Sequence, residues 1–391
     1  MLTVGDVVAA MQRRYPPAWA EEWDAVGLVC GDPQAPVHRI LLAVDPAPAV
    51  VDEAVDWGAD VLLTHHPLLL RGVHSVAATT AKGRAVHRLI RNDVALFAAH
   101  TNADNARPGV SDALADALGL RDLEPLVPQT EGLDKIITFV PHGDTERVLD
   151  ALADAGAGRI GNYERCGYLL EGTGTFRPLA GASPTIGSVG DVERVPETRL
   201  EMVLPRARRA DVVAALRSAH PYEEPAFDVV ELAPFDARRG LGRVGALPRA
   251  EPLDDFAARV AAALPSTVAG VQVAGDPATP VTRVAVCAGA GDSLLGAAAG
   301  ADVDVYVTAD LRHHPAGEAV EAGGPALVNV SHWASEWPWL ALAAQLLVDD
   351  LDAQGTVVDG ESLTLRISDL CTDPWTILAE SEPADTEAAH A

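Results

Sequence analysis

Residues 59–70 read ADVLLTHHPLLL, a short apolar run that ends in two adjacent histidines and a proline. An unbroken run such as VLL is typical of a parallel strand covered on both faces, and Pro67 ends it. In open α/β folds, ligands bind in the crevice beyond the carboxyl ends of the strands, so we expect His65 and His66 at that edge. Taken alone, such a pair can also be one packed and one polar loop residue.

The chain contains an internal repeat that extends this pattern. Residues 37–67 contain VHRILLAVD and then EAVDWGADVLLTHHP, and residues 281–315 contain VTRVAVCAG and then GADVDVYVTADLRHHP. The similarity continues from VALFAAHTNAD at 94–104 to PALVNVSHWASE at 325–336. In both of these segments a buried strand ends in a histidine, and a carboxylate follows four residues later. Three matches in the same order indicate two similar halves.

The repeat predicts an α/β fold in which two similar α/β halves form one discontinuous domain, at 1–125 and 246–374. The segment between them, 126–245, is rich in glycine and turns but also contains an alternating strand and a helical stretch. We interpret it as an inserted α+β domain. The last residues, 375–391, form a polar, acidic tail that is predicted to be disordered.

Composition limits the possible functions of the 391-residue chain. Its formal net charge of −27 argues against binding nucleic acid or an anionic membrane surface, because both need clustered lysine and arginine. No apolar stretch approaches the length of a membrane span. The four cysteines have no short paired spacing, so they suggest neither a zinc ribbon nor disulfides. We therefore expect a cytoplasmic protein whose acidic character favours binding cations.

If the two halves pack together, their strand ends bring imidazoles and carboxylates into one crevice. Such a set suits Zn, Fe or Mn. Two carboxylates that can bridge also suit a pair of cations about 3.5 to 4 Å apart, so we expect a centre with two divalent metal ions. The residues that this arrangement brings together are His65, His66, His100, Asp104, His332 and Glu336.

The sequence leaves the roles of three histidines open. His100 is an additional metal ligand, a catalytic proton carrier or a packed strand-end residue. His313 and His314 end the second copy of the repeat, and either support the metal ligands, face the substrate or are plain loop residues. Local patterns also predict two helix caps: Ser335 before EWPWLALAAQLLVDDL, and Ser111 before DALADALG.

Several motifs together resemble one known family. They are THHPLL, HTNAD, VCAGAGDSLL, GADVDVYVTADLRHH, SHWASE and TDPW. They resemble the Nif-three-like family of dinuclear-metal-centre hexameric proteins, the GTP cyclohydrolase I type 2 homologues. The segments GNYERCGY, GTGTFRP and HPYEEPAFD resemble the CutA-like and PII-like domain inserted in the family's longer bacterial members.

The resemblance implies specific properties for this chain. The family's metal-ligand pattern corresponds to His65, His66, Asp104, His332 and Glu336, and the assembly it implies is a homohexamer enclosing a cavity. The chain departs from the family pattern at four positions that are not ligands: Ala25 replaces an asparagine, Ala309 and Ser331 each replace a glycine, and Trp333 replaces a tyrosine.

Three functions follow as hypotheses, each with a small-molecule substrate or ligand. The first is a metal-dependent hydrolase that opens the guanine ring of GTP and releases formate, with a metal-activated water as nucleophile. The second is a metal-dependent phosphoesterase, for which dinuclear His/carboxylate sites are common. The third is a non-enzymatic metal-binding or regulatory hexamer.

Overall fold

The protein is described from a computed structural model over residues 1–130, 132–161, 163–233, 236–355 and 363–379. Of the predicted acidic tail, the part from residue 380 onward lies outside these described residues.

The chain divides into two compact units. The first combines Met1–Gln129 with Arg238–Ala391, and the second is Thr130–Ala237. The predicted insertion, 126–245, covers the second unit. The predicted α/β class is confirmed. Within the described ranges, no helix is both long enough and apolar enough to cross a membrane.

The first unit contains a five-stranded sheet built mainly from the N-terminal half. Its strands are β1 (Gly27–Cys30), β2 (Arg39–Ala43), β3 (Val61–Thr64), β4 (Ala95–Ala98) and β15 (Thr364–Ile367). The spatial order is β1-β4-β3-β2-β15, and all neighbours are parallel except β1 and β4. The helices of this half are α1 (Val4–Arg14), α2 (Pro48–Trp57), α3 (Ala81–Arg91), α4 (Thr101–Asp104) and α5 (Val110–Ala117).

The second sheet of this unit repeats that architecture. Its strands are β5 (Arg121–Thr130), β10 (Asp236–Pro252), β11 (Gln272–Ala274), β12 (Pro280–Ala290), β13 (Val305–Ala309) and β14 (Ala326–Val330), in the order β11-β14-β13-β12-β10-β5. The central strands β12, β13 and β14 are parallel, as β2, β3 and β4 are in the first sheet. The helices are α8 (Leu253–Ala263), α9 (Leu295–Gly300), α10 (His313–Glu321), α11 (His332–Glu336) and α12 (Pro338–Ala353).

The two halves exchange strands and share one core. Strand β15, from the end of the chain, extends the first sheet beside β2, and β5, from the N-terminal half, extends the second sheet beside β10. Leu63 and Phe97 of the first sheet belong to the same buried cluster as Val307 of the second and Trp339 of α12. The carboxyl ends of β3, β4 and β14 therefore lie at a common edge of this core.

The second unit is an antiparallel sheet with two helices. Its strands are β6 (Leu133–Pro141), β7 (Gly167–Phe176), β8 (Glu193–Pro205) and β9 (Phe227–Glu231), in the order β7-β8-β6-β9, and its helices are α6 (Thr145–Asp154) and α7 (Arg209–Ala219). The remaining short 3-10 helices of the described chain are Pro17–Trp19, His142–Asp144, Arg206–Arg208 and Asp292–Leu294.

Both predicted serine caps are wrong. Ser335 lies inside α11, where its hydroxyl donates to the carbonyl of His332 and accepts from the backbone N–H of Gly289, 2.8 Å away. Ser111 lies inside α5 and accepts from the N–H of Ala288. Each hydroxyl therefore accepts a hydrogen bond from a backbone N–H at the end of β12. In a helix cap the same hydroxyl would accept from a backbone N–H in the first turn of the helix.

Candidate metal centre

The six residues predicted to share a crevice all lie within the first unit, at the carboxyl ends of the central strands. His65 and His66 directly follow β3, His100 follows β4 and His332 opens α11 after β14, while Asp104 and Glu336 end the short helices α4 and α11. Each histidine–carboxylate pair is thus held by one strand end and one helical turn.

The Glu336 carboxylate is the hub of this cluster. Its Oε1 lies 2.9 Å from the Nε2 of His332 and 3.4 Å from that of His65, and its Oε2 lies 3.3 Å from the Nε2 of His66. The side chain is 3% exposed. On the other side of His65, the same Nε2 is 3.7 Å from the Oδ1 of Asp104. Three imidazoles therefore direct the same ring nitrogen toward one buried carboxylate.

The opposite nitrogen, Nδ1, of every histidine in the cluster is held by an acceptor. Nδ1 of His65 donates to the carbonyl of Ala99 at 2.9 Å. The Nδ1 atoms of the other three donate to carboxylates, in the pairs His66 with Asp45 (2.7 Å), His100 with Asp24 (2.8 Å) and His332 with Asp310 (2.7 Å). Because an acceptor fixes the proton on Nδ1, Nε2 of a neutral imidazole is left with a free lone pair.

Two groups of ligand atoms are close enough to hold a metal ion. The first is His65, His66 and His100, and the second is His66, His332 and Glu336; within each group the ligand atoms all lie within 4.8 Å of one another. His65 Nε2 and Glu336 Oε2 are buried and make no hydrogen bond within the described chain. Buried polar atoms without a partner are costly, and a cation satisfies both. The donor set therefore fits Zn, Fe or Mn.

The electrostatics of the cluster also favour a cation. Burial opposes ionisation of Glu336, but the nearby imidazoles of His66, His332 and His65 outweigh it and hold the pKa of this carboxyl well below its usual range. Burial likewise opposes a charge on His332, yet the carboxylates of Glu336 and Asp310 raise its pKa to about 10. Burial raises the pKa of Asp104. The carboxylates thus attract positive charge to the position that the Nε2 atoms surround.

A glycine makes room for Glu336 beside β12. Gly289 has φ +71°, a left-handed conformation that favours glycine, and a Cβ there would lie 2.4 Å from Oε1 of Glu336 and 3.2 Å from Nε2 of His332. Gly289, in the motif VCAGAGDSLL, therefore contributes to the centre by leaving space for the side chains of Glu336 and His332.

The sequence patterns did not identify the three carboxylates that accept hydrogen bonds from Nδ1 of the histidines. Asp45 and Asp310 each follow a central strand, β2 and β13, so their strand-end positions were a usable signal. Asp24 precedes β1 and carried no such signal; its second oxygen accepts from the N–H of Thr101 at 3.0 Å. Hydrogen bonds from His100 and Thr101 outweigh the burial of Asp24 and lower its pKa.

The second His-His pair does not join this cluster. His313 and His314 are exposed in the first turn of α10, with their ring centroids 5.0 Å apart. Neither belongs to the two candidate ligand groups of the described chain. Three residues separate β13 from this pair, whereas none separates β3 from His65, so the pair lies on a helix instead of at the strand end.

Replacement of Asp310 by asparagine is expected to weaken metal binding. The charge that orients His332 and increases its basicity is lost while the shape is kept, and losses of about 10- to 100-fold in metal affinity are typical of such changes. Competition with a chelator measures the effect. Asp255→Asn, at an exposed position of α8, is the matched control and should leave the affinity unchanged.

Fold and site together define a two-sheet α/β protein with a buried His/carboxylate cluster that fits a metal ion. Residues 2–362 match the model of the family described as Duf34/NIF3 (NGG1p interacting factor 3), and the chain belongs to this family. The family resemblance predicted from the motifs is confirmed.

Relatives and solved structures agree with this membership. A Mycobacterium tuberculosis protein named GTP cyclohydrolase 1 type 2 homolog is 54% identical over 377 residues, covering 96% of this chain and 97% of the relative. A Bacillus subtilis protein of the same name is 38% identical over 331 residues, 84% of this chain and 88% of the relative. The crystal structure of a Bacillus cereus protein related to NIF3 has a TM-score of 0.75 and 36% identity, covering 96% of this chain and 99% of that one.

Proposed function

We propose that the cluster binds two divalent metal ions. His66 and His332 would hold one ion, and His65, His100 and Asp104 the other. Glu336, whose carboxylate lies near His332 and His66 of the first group and near His65 of the second, would serve both ions. The observation that carries this proposal is the shared orientation of the histidines: Nδ1 of each is held by an acceptor, and the Nε2 atoms of three converge on Glu336. Such fixed tautomers leave Nε2 available to bind a metal ion.

The proposed activity is hydrolysis of a small molecule. When bound, divalent ions supply Lewis-acid polarisation of a substrate oxygen and lower the pKa of water. A cavity of about 450 Å³ adjoins the cluster, and His66, His332, Trp333 and Trp375 are among its lining residues. The two indole rings offer flat apolar surface beside the metal ligands. The chain itself would therefore orient the metal ligands and bind a flat substrate ring beside them.

The substrate we propose is GTP, with opening of its imidazole ring and release of formate. The names of the relatives support this choice. The cavity lining includes Asp45, Asp310 and Asp373 and, among the described residues, no lysine or arginine. The phosphates would therefore be neutralised by bound cations, and turnover should need divalent metal in excess of the amount that fills the centre.

A proton NMR time course of GTP with metal-loaded protein tests this reaction. Loss of the C8 proton signal and appearance of free formate are expected, both abolished by Glu336→Gln. An unchanged C8 signal, with two metals per chain confirmed by elemental analysis, would contradict the GTP assignment. Release of inorganic phosphate in that case would support the phosphoesterase hypothesis instead.

Metal binding is expected to release protons at pH 7. Because the carboxylates raise the pKa of His332 to about 10 and that of His66 well above its usual range, both imidazoles carry protons in the metal-free protein. These protons leave when the neutral rings bind metal, so metal affinity should rise with pH and fall on acidification. Calorimetric titration of the metal-free protein with zinc, in buffers of different ionisation enthalpy, counts the released protons. A heat that is independent of the buffer would contradict the proposed ligands.

The homohexamer enclosing a cavity and the cytoplasmic location stay predictions. Sedimentation equilibrium of the full chain checks the oligomer, with a mass of six chains as the expected result.

A further inference from the structure

The antiparallel sheet of the second unit has one face that its helices leave uncovered. Ile136, Val140, Leu200 and Met202 point to the other face and pack against α6 and α7 in one buried cluster. Side chains alternate along a strand, so the residues between them point away from these helices. In the described part of this unit, the uncovered face carries Phe139 of β6, Glu197 and Arg199 of β8, and Leu170, Gly172, Gly174 and Phe176 of β7.

A cavity of about 610 Å³ lies on this uncovered face. The segments 177–186 and 222–226 contribute to its walls. Three aromatic rings line it, from Phe139, Phe176 and Tyr222, and the last two meet edge to face with centroids 5.5 Å apart. A concave, mainly apolar cavity of this volume accommodates a small organic molecule.

Two glycines keep the floor of the cavity open. Gly172 pairs across the sheet with Glu197, and a Cβ at Gly172 would meet no atom within 4 Å. A Cβ at Gly174 would lie 1.9 Å from the Oε2 of Glu197, so this carboxylate occupies the place of the missing side chain. The glycines thus provide the space, and Glu197 places a charge within it.

Glu197 is a buried carboxylate that forms no salt bridge within the described residues. It is 6% exposed, its Oε1 accepts a hydrogen bond of 2.7 Å from the hydroxyl of Tyr222, and no basic side chain of the described chain forms an ion pair with it. Arg199, two residues along β8 from Glu197, donates instead to the carboxylate of Glu201 at 2.8 Å. Burial of an unpaired charge is costly, so the site is suited to a ligand that supplies the opposite charge.

The other charged side chains of the lining are mainly acidic. Glu171, Glu223 and Glu224 line the cavity with only Arg177 and Arg199 as basic residues. The faces of aromatic rings also attract cations, and the Phe139 ring already has the guanidinium of Arg199 5.7 Å from its centroid, which leaves Phe176 and Tyr222 for a ligand. Carboxylates and ring faces therefore favour the same kind of ligand, whereas an anion would meet repulsion.

We propose that this cavity binds an organic cation. Its ammonium or guanidinium group would lie beside Glu197, and its apolar body would contact Phe176 and Tyr222. This site lies within the second unit, uses none of the candidate metal ligands and is independent of the proposed hydrolysis.

The test is an NMR titration of full-length, metal-loaded protein with phenethylammonium and phenethylguanidinium. Two matched probes without positive charge, 2-phenylethanol and 3-phenylpropionate, complete the set. Both cations should bind, and the uncharged and anionic probes should bind at least about 10-fold more weakly. No binding of either cation at about 10 mM, or equal binding of all four probes, would overturn the proposal.

Two variants locate the bound cation. Glu197→Gln removes the charge and keeps the hydrogen bond to Tyr222, so we expect at least about 10-fold weaker binding. Gly172→Val fills the open floor with a residue that favours strands, and binding should be lost while the protein stays folded. Glu146→Gln, on α6, is the matched control. Cation binding that both cavity variants leave intact would contradict the assigned site.

Discussion

Glu336→Gln is expected to remove at least one of two metal ions per chain and to lower turnover at least about 100-fold. The substitution keeps the shape of the side chain but removes the charge that the Nε2 atoms of His65, His66 and His332 face. An amide oxygen binds zinc poorly, and the amide nitrogen does not bridge two cations. Elemental analysis after dialysis and the GTP assay measure the two effects.

A matched control separates this effect from a general loss of structure. Glu318→Gln changes an exposed glutamate of α10 and should keep both metals and full turnover. If Glu336→Gln also retained two metals per chain, Glu336 would not be the shared ligand. The grouping of the histidines around it would then need another explanation.

Arg243→Met is expected to lower the free energy of unfolding by about 3–5 kcal/mol. Arg243 of β10 is fully buried and forms two parallel hydrogen bonds to the carboxylate of Asp112 in α5, at 2.9 and 2.6 Å. Its guanidinium also donates to the carbonyls of Gly240, Gly242 and Ala106. Methionine removes these donors and leaves Asp112 as a buried charge without a cationic partner, with only the N–H of Gly109 still donating to its Oδ2.

Urea unfolding of the metal-free protein measures this loss without a contribution from bound metal. Arg249→Met, at an exposed position of the same strand, is the control and should change stability by no more than about 0.5 kcal/mol. A loss below about 1 kcal/mol for Arg243→Met would show that this ion pair does not stabilise the packing of β10 against α5.

The parts of the fold that follow a short repeating pattern were predictable from sequence. The run VLLTHHP marked a buried strand with ligands at its end, and the internal repeat showed that His332 and Glu336 occupy the position of His100 and Asp104 in the other half. Both inferences rest on local periodicity and on the rule that the carboxyl ends of parallel strands share an edge.

Features that depend on tertiary partners were not predictable. Ser335 and Ser111 have the local context of helix caps, but the neighbouring end of β12 offers their hydroxyls a backbone N–H. Asp24 is one of 56 acidic residues, and only the folded structure shows that it accepts a hydrogen bond from His100. The pairing of β15 with β2 joins segments more than 300 residues apart, which no local pattern encodes.

The most direct test of the central claim, two metal ions held by the histidine cluster, is anomalous diffraction from crystals of the zinc-loaded protein. Two anomalous peaks are predicted about 3.5–4 Å apart, each about 2.0–2.2 Å from histidine Nε2 atoms and a carboxylate oxygen, with Glu336 contacting both. A cluster without a peak, a single peak at full occupancy, or zinc bound through Nδ1 would contradict the account.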